Sequence, residues 1–230
     1  MIILGIDTSN DTLGVSIWRD GKVIGEFVTN LKKNHSVRLL PAIAELMKEC
    51  DVTPQALTKI AIAEGPGSYT GLRIGVTVAK TMAWDLQIPL VGVSSLVLMA
   101  QNGRFFDGLI IPIMDARRGN VYAGIYKKEA AGLATLKPDQ HVSFEDLLAG
   151  LDAKSDVLFI GDGAVHFQEE ITGQLGARAT IAEAALCYPR PAFLGELAQH
   201  KDGVPAHSFV PTYLKLAEAE SKWLEANKHD

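Results

Sequence analysis

The sequence is poor in cysteine: Cys50 and Cys187 are the only two, far apart and without C-x-x-C spacing. That excludes a disulfide-stapled scaffold and a cysteine-built metal finger, and reduced thiols in a cytoplasmic protein are the expectation. Long apolar runs are missing too. No stretch approaches the roughly 18 to 20 residues that a bilayer span demands, and the opening MIILGID lacks the basic flank of a secretion signal. Positive charge is in deficit, with 22 Lys and Arg against 27 Asp and Glu. A net charge of −5 does not suit a chain that grips nucleic acid alone, because polyphosphate affinity comes from neutralising phosphates with cations. The histidines at 35, 141, 166, 200, 207 and 229 lack the i, i+3 or i, i+4 grouping of a helical zinc site, so no metal site is expected.

What is present is core-forming material: 47% of 230 residues are hydrophobic, enough for one large domain or two modest lobes. Residues 1–7, 12–19 and 22–29 are β-rich, and Asp20-Gly21 between the last two is a strong hairpin signal. Residues 36–50 place Leu39, Ile43, Leu46 and then Leu40, Met47 at helical spacing, with Asn34 or Ser36 as cap and Pro41 predicting a late start or a kink. A strand over 59–63, a glycine-rich turn over 65–71 and a helix over 72–86 follow, then a strand over 90–93 and a short helix to about residue 102. The polar run 101–107 is the expected boundary between a lobe over 1–104 and a lobe over 105–230. The second lobe opens like the first, with a strand over 109–115 ending in Asp and another over 120–126. Residues 157–160 read as a strand, 193–200 as a helix, and 212–226 as a charged amphipathic helix that packs back on the first lobe. The expected class is α/β and duplicated.

Three features bear on function. Asp7-Thr8-Ser9 puts a carboxylate and two hydroxyls in the turn after the first strand, which suits a metal-bound phosphate or, equally, an Asx-type turn. Asp115-Ala116-Arg117-Arg118-Gly119 is ambiguous in the same way. The segment from Gly65 to Gly75 invites a nucleotide reading, yet both G-x-x-x-x-G-K-[ST] and G-x-G-x-x-G fail at Thr70. The helix behind it carries Leu72, Ile74, Val76, Val78, Ala79, Met82, Ala83 and Leu86, leaving almost no polar stripe. Its second side needs cover, either from the chain's other lobe or from another molecule, with Gly75 and Ala79 allowing close approach. His35 beside Ser36 reads as a helix-start pair rather than as a nucleophile and base.

ILGIDTS at 3–9, NHSVRLLPAI at 34–43, GPGSYTGLRIG at 65–75, IPLVGVSSL at 88–96, MDARRGNVY at 114–122 and PTYLKLAEAE at 211–220 together resemble the TsaB family, also called YeaZ. The resemblance implies a two-lobed fold of the actin, hexokinase and heat-shock ATPase kind with duplicated ribonuclease-H-like lobes. Its ancestral phosphate turns would lie at Asp7 and Asp115. It implies a non-catalytic, activating partner of the tRNA threonylcarbamoyltransferase TsaD, joined by the ATPase TsaE. That complex modifies the adenosine next to the anticodon, position 37, of tRNAs reading codons that begin with A. It implies a homodimer when the chain is alone, contact with tRNA through the complex, and no intrinsic cofactor, with ATP or ADP belonging to the assembled complex. Where the catalytic relative carries an H-x-x-x-H metal pair, this chain has Ser95 and Met99, and its length leaves no room for that relative's further C-terminal ligand region. The association face is expected on the two helices, at His35, Ser36, Leu39, Leu40, Ile43, Leu72, Arg73, Val76 and Lys80. A stand-alone ATPase or kinase of the same superfold, using Asp7 and the Gly161-Asp162-Gly163 turn, is the rival reading; a metallopeptidase lacks ligands.

Overall fold

The computed structural model describes residues 1–31 and 34–215. The first sheet contains β1 (Ile2–Asp7), β2 (Leu13–Arg19), β3 (Lys22–Thr29), β4 (Lys59–Gly65) and β5 (Leu90–Ser94), ordered β3-β2-β1-β4-β5. The second contains β6 (Leu109–Asp115), β7 (Asn120–Glu129), β8 (Gly132–Ser143), β9 (Val157–Ile160) and β10 (Ala179–Ile181), ordered β10-β9-β6-β7-β8. In each, the first strand pairs antiparallel with the second and parallel with the fourth. Read from opposite edges, the two sheets have one topology. The lobes repeat one mixed α/β topology, as a duplicated fold would.

Local chemistry explains the first lobe. Asp20 and Gly21 both take positive φ, 46° and 87°, which is what the tight β2–β3 turn requires. Helix α1 (His35–Glu49) starts where the Asn34 side chain accepts the Ser36 N–H. It runs through Pro41, which sits on the exposed side. Helix α2 (Tyr69–Asp85) is capped by Ser68, whose hydroxyl accepts the Gly71 N–H at 3.2 Å.

Helices α1 and α2 cover one face of the first sheet, burying Leu39, Ile43, Leu46, Val76 and Ala79 against Leu4, Ile6, Val15, Ile17 and Ile62. The lobes exchange their closing helices. Helix α3 (Ser95–Ala100), which follows β5, puts Leu96, Met99 and Ala100 against Ile110, Met114 and Ile160 of the second sheet, while Leu98 stays with the first. Helix α7 (Ala192–Ala198), which follows β10, returns to lay Leu194 and Ala198 on Ile3, Trp18 and Val91. Helices α4 (Phe144–Ala149), α5 (Asp162–His166) and α6 (Gln168–Leu175) close the second lobe, with Phe144 stacked on Phe167 at 4.1 Å.

Two expectations need correction. Thr212, Tyr213, Leu214 and Lys215 are not helical; their backbone and side chains are engaged across the lobes, as described below, and the rest of the helix expected over 212–226 lies outside the described residues. The stretch after residue 126 holds the 12-residue strand β8, not read from the sequence. Among the described residues no helix is long and apolar enough to cross a membrane.

Candidate functional site

The turn that follows β1 is sealed from within. Asp7, Thr8 and Ser9 are fully buried. The Thr8 hydroxyl donates to the Gly71 carbonyl at 2.8 Å, the Ser9 N–H donates to Asp7 Oδ1 at 2.9 Å, and the Ser68 N–H donates to the Ser9 carbonyl at 2.7 Å. The glycines of the following loop make this closure possible. A Cβ on Gly71 would stand 2.1 Å from the Thr8 carbonyl oxygen, and one on Gly75 would stand 2.3 Å from Thr8 Oγ1. Burial pushes the Asp7 carboxyl above its ordinary pKa, against the opposing pull of its hydrogen bond from the Ser9 N–H and the nearby His35. Asp7 Oδ2 and Ser9 Oγ are buried without a hydrogen-bond partner among the described residues. Asp7 and Thr8, sequence candidates for a phosphate site, lie between β1 and the glycine loop, away from solvent. Gly75 and Ala79 bring α2 close to its own sheet, not to another molecule.

The second-lobe turn is open. Asp115 is exposed, and its carboxylate accepts the Arg117 N–H at 2.7 Å in an Asx-type turn. Asp115 and Ser9 border an interlobe cleft of about 580 Å3 that is also lined by Asp11, Ser68, Tyr69, Thr70, Arg117, Tyr122 and Asp162. Asp162 is held above its ordinary pKa, first by burial and then by the neighbouring carboxylates Asp115 and Asp11. Residues 212–215 cross the mouth, and Lys215 Nζ donates to the Ala116 carbonyl at 3.2 Å. Among the described residues no group of three or more His, Cys, Asp or Glu could hold a metal ion.

The two-helix layer divides the expected association residues. Leu39, Ile43, Leu72 and Val76 are core residues, 1%, 3%, 1% and 5% exposed. Those four cannot offer side chains to a partner: amphipathic spacing marks the inward and outward rows alike, and these rows face the sheet. His35 is also buried, its Nε2 donating to the Asn10 carbonyl at 2.8 Å, which ties the start of α1 to the sealed turn. Lys80 is half-buried, donating to the Phe209 carbonyl at 2.7 Å. Ser36, Leu40 and Arg73 do lie on the outside. Helix α2 also has a polar stripe after all, formed by Thr70, Arg73, Thr77 and Thr81 and ending at Trp84. Ile74, Val78, Met82 and Leu86 flank it and pack on the chain's own core. The exposed large apolar residues of this layer include Val37 and Trp84, which helical spacing alone did not single out.

The family model described as TsaD: tRNA N6-adenosine threonylcarbamoyltransferase matches residues 22–223. The tRNA threonylcarbamoyladenosine biosynthesis protein TsaB of Bacillus subtilis is 52% identical over 229 residues, covering 99% of this chain and 100% of that protein. The chain belongs to the TsaB family. The TsaB of Escherichia coli is 33% identical over 60% of the chain and 64% of its own length. The solved structure of YeaZ from Pseudomonas aeruginosa superposes with a TM-score of 0.79 at 27% identity, over 93% of this chain and 99% of that one. A tRNA N6-adenosine threonylcarbamoyltransferase of Salinibacter ruber is 31% identical over 42% of the chain and 33% of its own length. In this TsaB-family chain, Ser95 and Met99 have structural employment. The Ser95 hydroxyl accepts the Gly65 N–H at 3.2 Å and the Met99 thioether fills the apolar seam between lobes.

Proposed function

We propose that the chain is a non-catalytic, activating subunit in threonylcarbamoyladenosine synthesis, docking a TsaD-type transferase through the outer faces of α1 and α2. The observation that carries the reading is the sealed β1 turn. Nucleotide turnover at this turn would need room for a phosphate, and here Gly67 and Gly71 lie against the Ser9 and Thr8 carbonyls while Asp7, Thr8 and Ser9 have no exposed surface. A hydroxyl and a thioether at Ser95 and Met99 likewise offer a divalent ion nothing comparable to two imidazoles. What remains for the chain is association. Exposed Val37, Leu40 and Trp84, set among hydroxyls and Arg73, make a face of the aromatic, aliphatic and Arg composition that interfaces favour.

On this reading the partners are a TsaD-type catalytic subunit and a TsaE-type ATPase. The product is threonylcarbamoyl transferred to the adenosine at position 37, and tRNA is reached through the complex. Alone, the same face pairs with a second copy. The test is sedimentation of the chain with a TsaD-type subunit. Leu40→Asp and Trp84→Asp should abolish the heterodimer with unchanged melting temperature; a heterodimer that tolerates both rules this face out. The rival reading, a stand-alone ATPase, predicts ATP turnover by the isolated chain that Asp7→Asn removes. Our account predicts none above background for either form.

A further inference from the structure

Arg73 is the one cation of the outer α2 stripe, and it is held in place before any partner arrives. Its guanidinium carbon sits 4.3 Å from the Tyr69 ring centroid. That ring packs in turn on Tyr213, with centroids 5.1 Å apart and planes tilted by 39°. Tyr213 is itself fixed by its chain neighbours. The Thr212 N–H donates to the Glu64 carbonyl at 2.8 Å, Lys80 Nζ donates to the Phe209 carbonyl at 2.7 Å, and Lys215 Nζ donates to the Ala116 carbonyl at 3.2 Å. The Thr212 carbonyl oxygen lies where a Cβ on Gly65 would come within 2.3 Å, so this strap lies directly on the start of the glycine loop.

The clamp has a chemical consequence. A free arginine loses rotamer freedom when a partner immobilises it; stacking on Tyr69 has already restricted this one. The guanidinium has five N–H donors. Stacking occupies its face and leaves the edge, and no carboxylate among the described residues pairs with it. An open edge matches a carboxylate in bidentate geometry. A phosphate backbone would require several cations together, whereas the exposed neighbours along the stripe are Thr70, Thr77, Thr81 and Trp84.

We propose that Arg73, stacked on a Tyr69 ring that itself packs against Tyr213, is a preorganised anchor for an Asp or Glu side chain of the partner subunit, which makes residues 209–215 part of the docking face. The inference rests on the docking reading above, and the test separates the two. Isothermal titration of the chain with a TsaD-type subunit should show Arg73→Lys weakening binding about tenfold or more, because an ammonium neither stacks nor forks. Tyr213→Ala, which removes the ring that supports Tyr69, should weaken it by a few-fold in the wild-type background and have no effect in an Arg73→Ala background, the signature of a residue that acts through the arginine. Wild-type affinity in Arg73→Lys and Arg73→Ala, with Trp84→Asp still abolishing binding, overturns the anchor and leaves the face. Wild-type affinity in all of them overturns both. If Arg73→Ala spares the heterodimer but weakens tRNA binding by the assembled complex, with the salt slope falling by about one, the ligand is a phosphate and the proposal fails.

Discussion

Two substitutions on α2 separate what the helix does for the fold from what it does for docking. Leu72 is 1% exposed and packs its Cδ1 within 3.3 Å of the Cβ position at Gly65, so Leu72→Ala opens a cavity beside the glycine loop. Leucine truncations at such sites cost about 3 to 5 kcal/mol, which in a chain of this size lowers the melting temperature by roughly 6 to 20 °C. Trp84 is 62% exposed, so Trp84→Ala should change stability by no more than about 0.5 kcal/mol. If its ring is buried on docking, losing it costs about 2 kcal/mol, roughly a thirtyfold rise in Kd for the TsaD-type subunit. Thermal melts of both variants, with binding titrations on the folded ones, give the pattern. The reasoning is refuted if Leu72→Ala melts like the wild type, or if Trp84→Ala melts early and binds normally.

Asp7→Asn should keep the fold, since its Oδ1 still accepts the Ser9 N–H, and should leave complex activity unchanged. Because burial raises the Asp7 pKa in the folded state, the ionised form destabilises. Wild-type stability therefore falls as pH rises from the ordinary value of 3.8 through the raised one, and urea midpoints across that window should lose this slope in Asp7→Asn. Gly71→Ala must displace the Thr8 backbone and should destabilise more than Gly75→Ala, which meets the Thr8 hydroxyl; Gly173→Ala, with nothing within 4 Å, should be neutral or stabilising by urea titration. Asp139 accepts hydrogen bonds from Ser94 and from the buried Tyr126 hydroxyl, linking the lobes. Asp139→Ala leaves that hydroxyl unsatisfied and should cost about 1 to 3 kcal/mol in a denaturant melt.

The first lobe was more legible than the second for physical reasons. Asp20-Gly21 specifies its hairpin because both residues tolerate positive φ, and Asn34 announces a helix start through a side chain that reaches a backbone N–H; the Ser68 cap, hidden inside the glycine turn expected over 65–71, starts α2 three residues earlier than the expected 72. Strand β8 was hidden because it is an edge strand with a polar sequence, and Pro138 stands where the pairing register with β7 shifts. The exchange of α3 and α7 between lobes was not readable from helical spacing, which says that a face is apolar but not which sheet it meets. The same limit applies at the site. Spacing selected Leu39, Ile43, Leu72 and Val76 for the association face, whereas the sheet takes those rows and leaves Leu40, Arg73 and Trp84 outside. The sealing of Asp7 had a signal in the sequence, three glycines spaced to lie against one turn, but only their contacts with Thr8 and Ser9 tell closure from a phosphate cradle.

Threonylcarbamoyl transfer to unmodified tRNA by purified TsaD-type and TsaE-type subunits, with the activated adenylate supplied and with or without this chain, tests the central claim most directly. The account predicts transfer only when the chain is present, undiminished by Asp7→Asn and lost with Leu40→Asp or Trp84→Asp. Transfer at the same rate without the chain would contradict it.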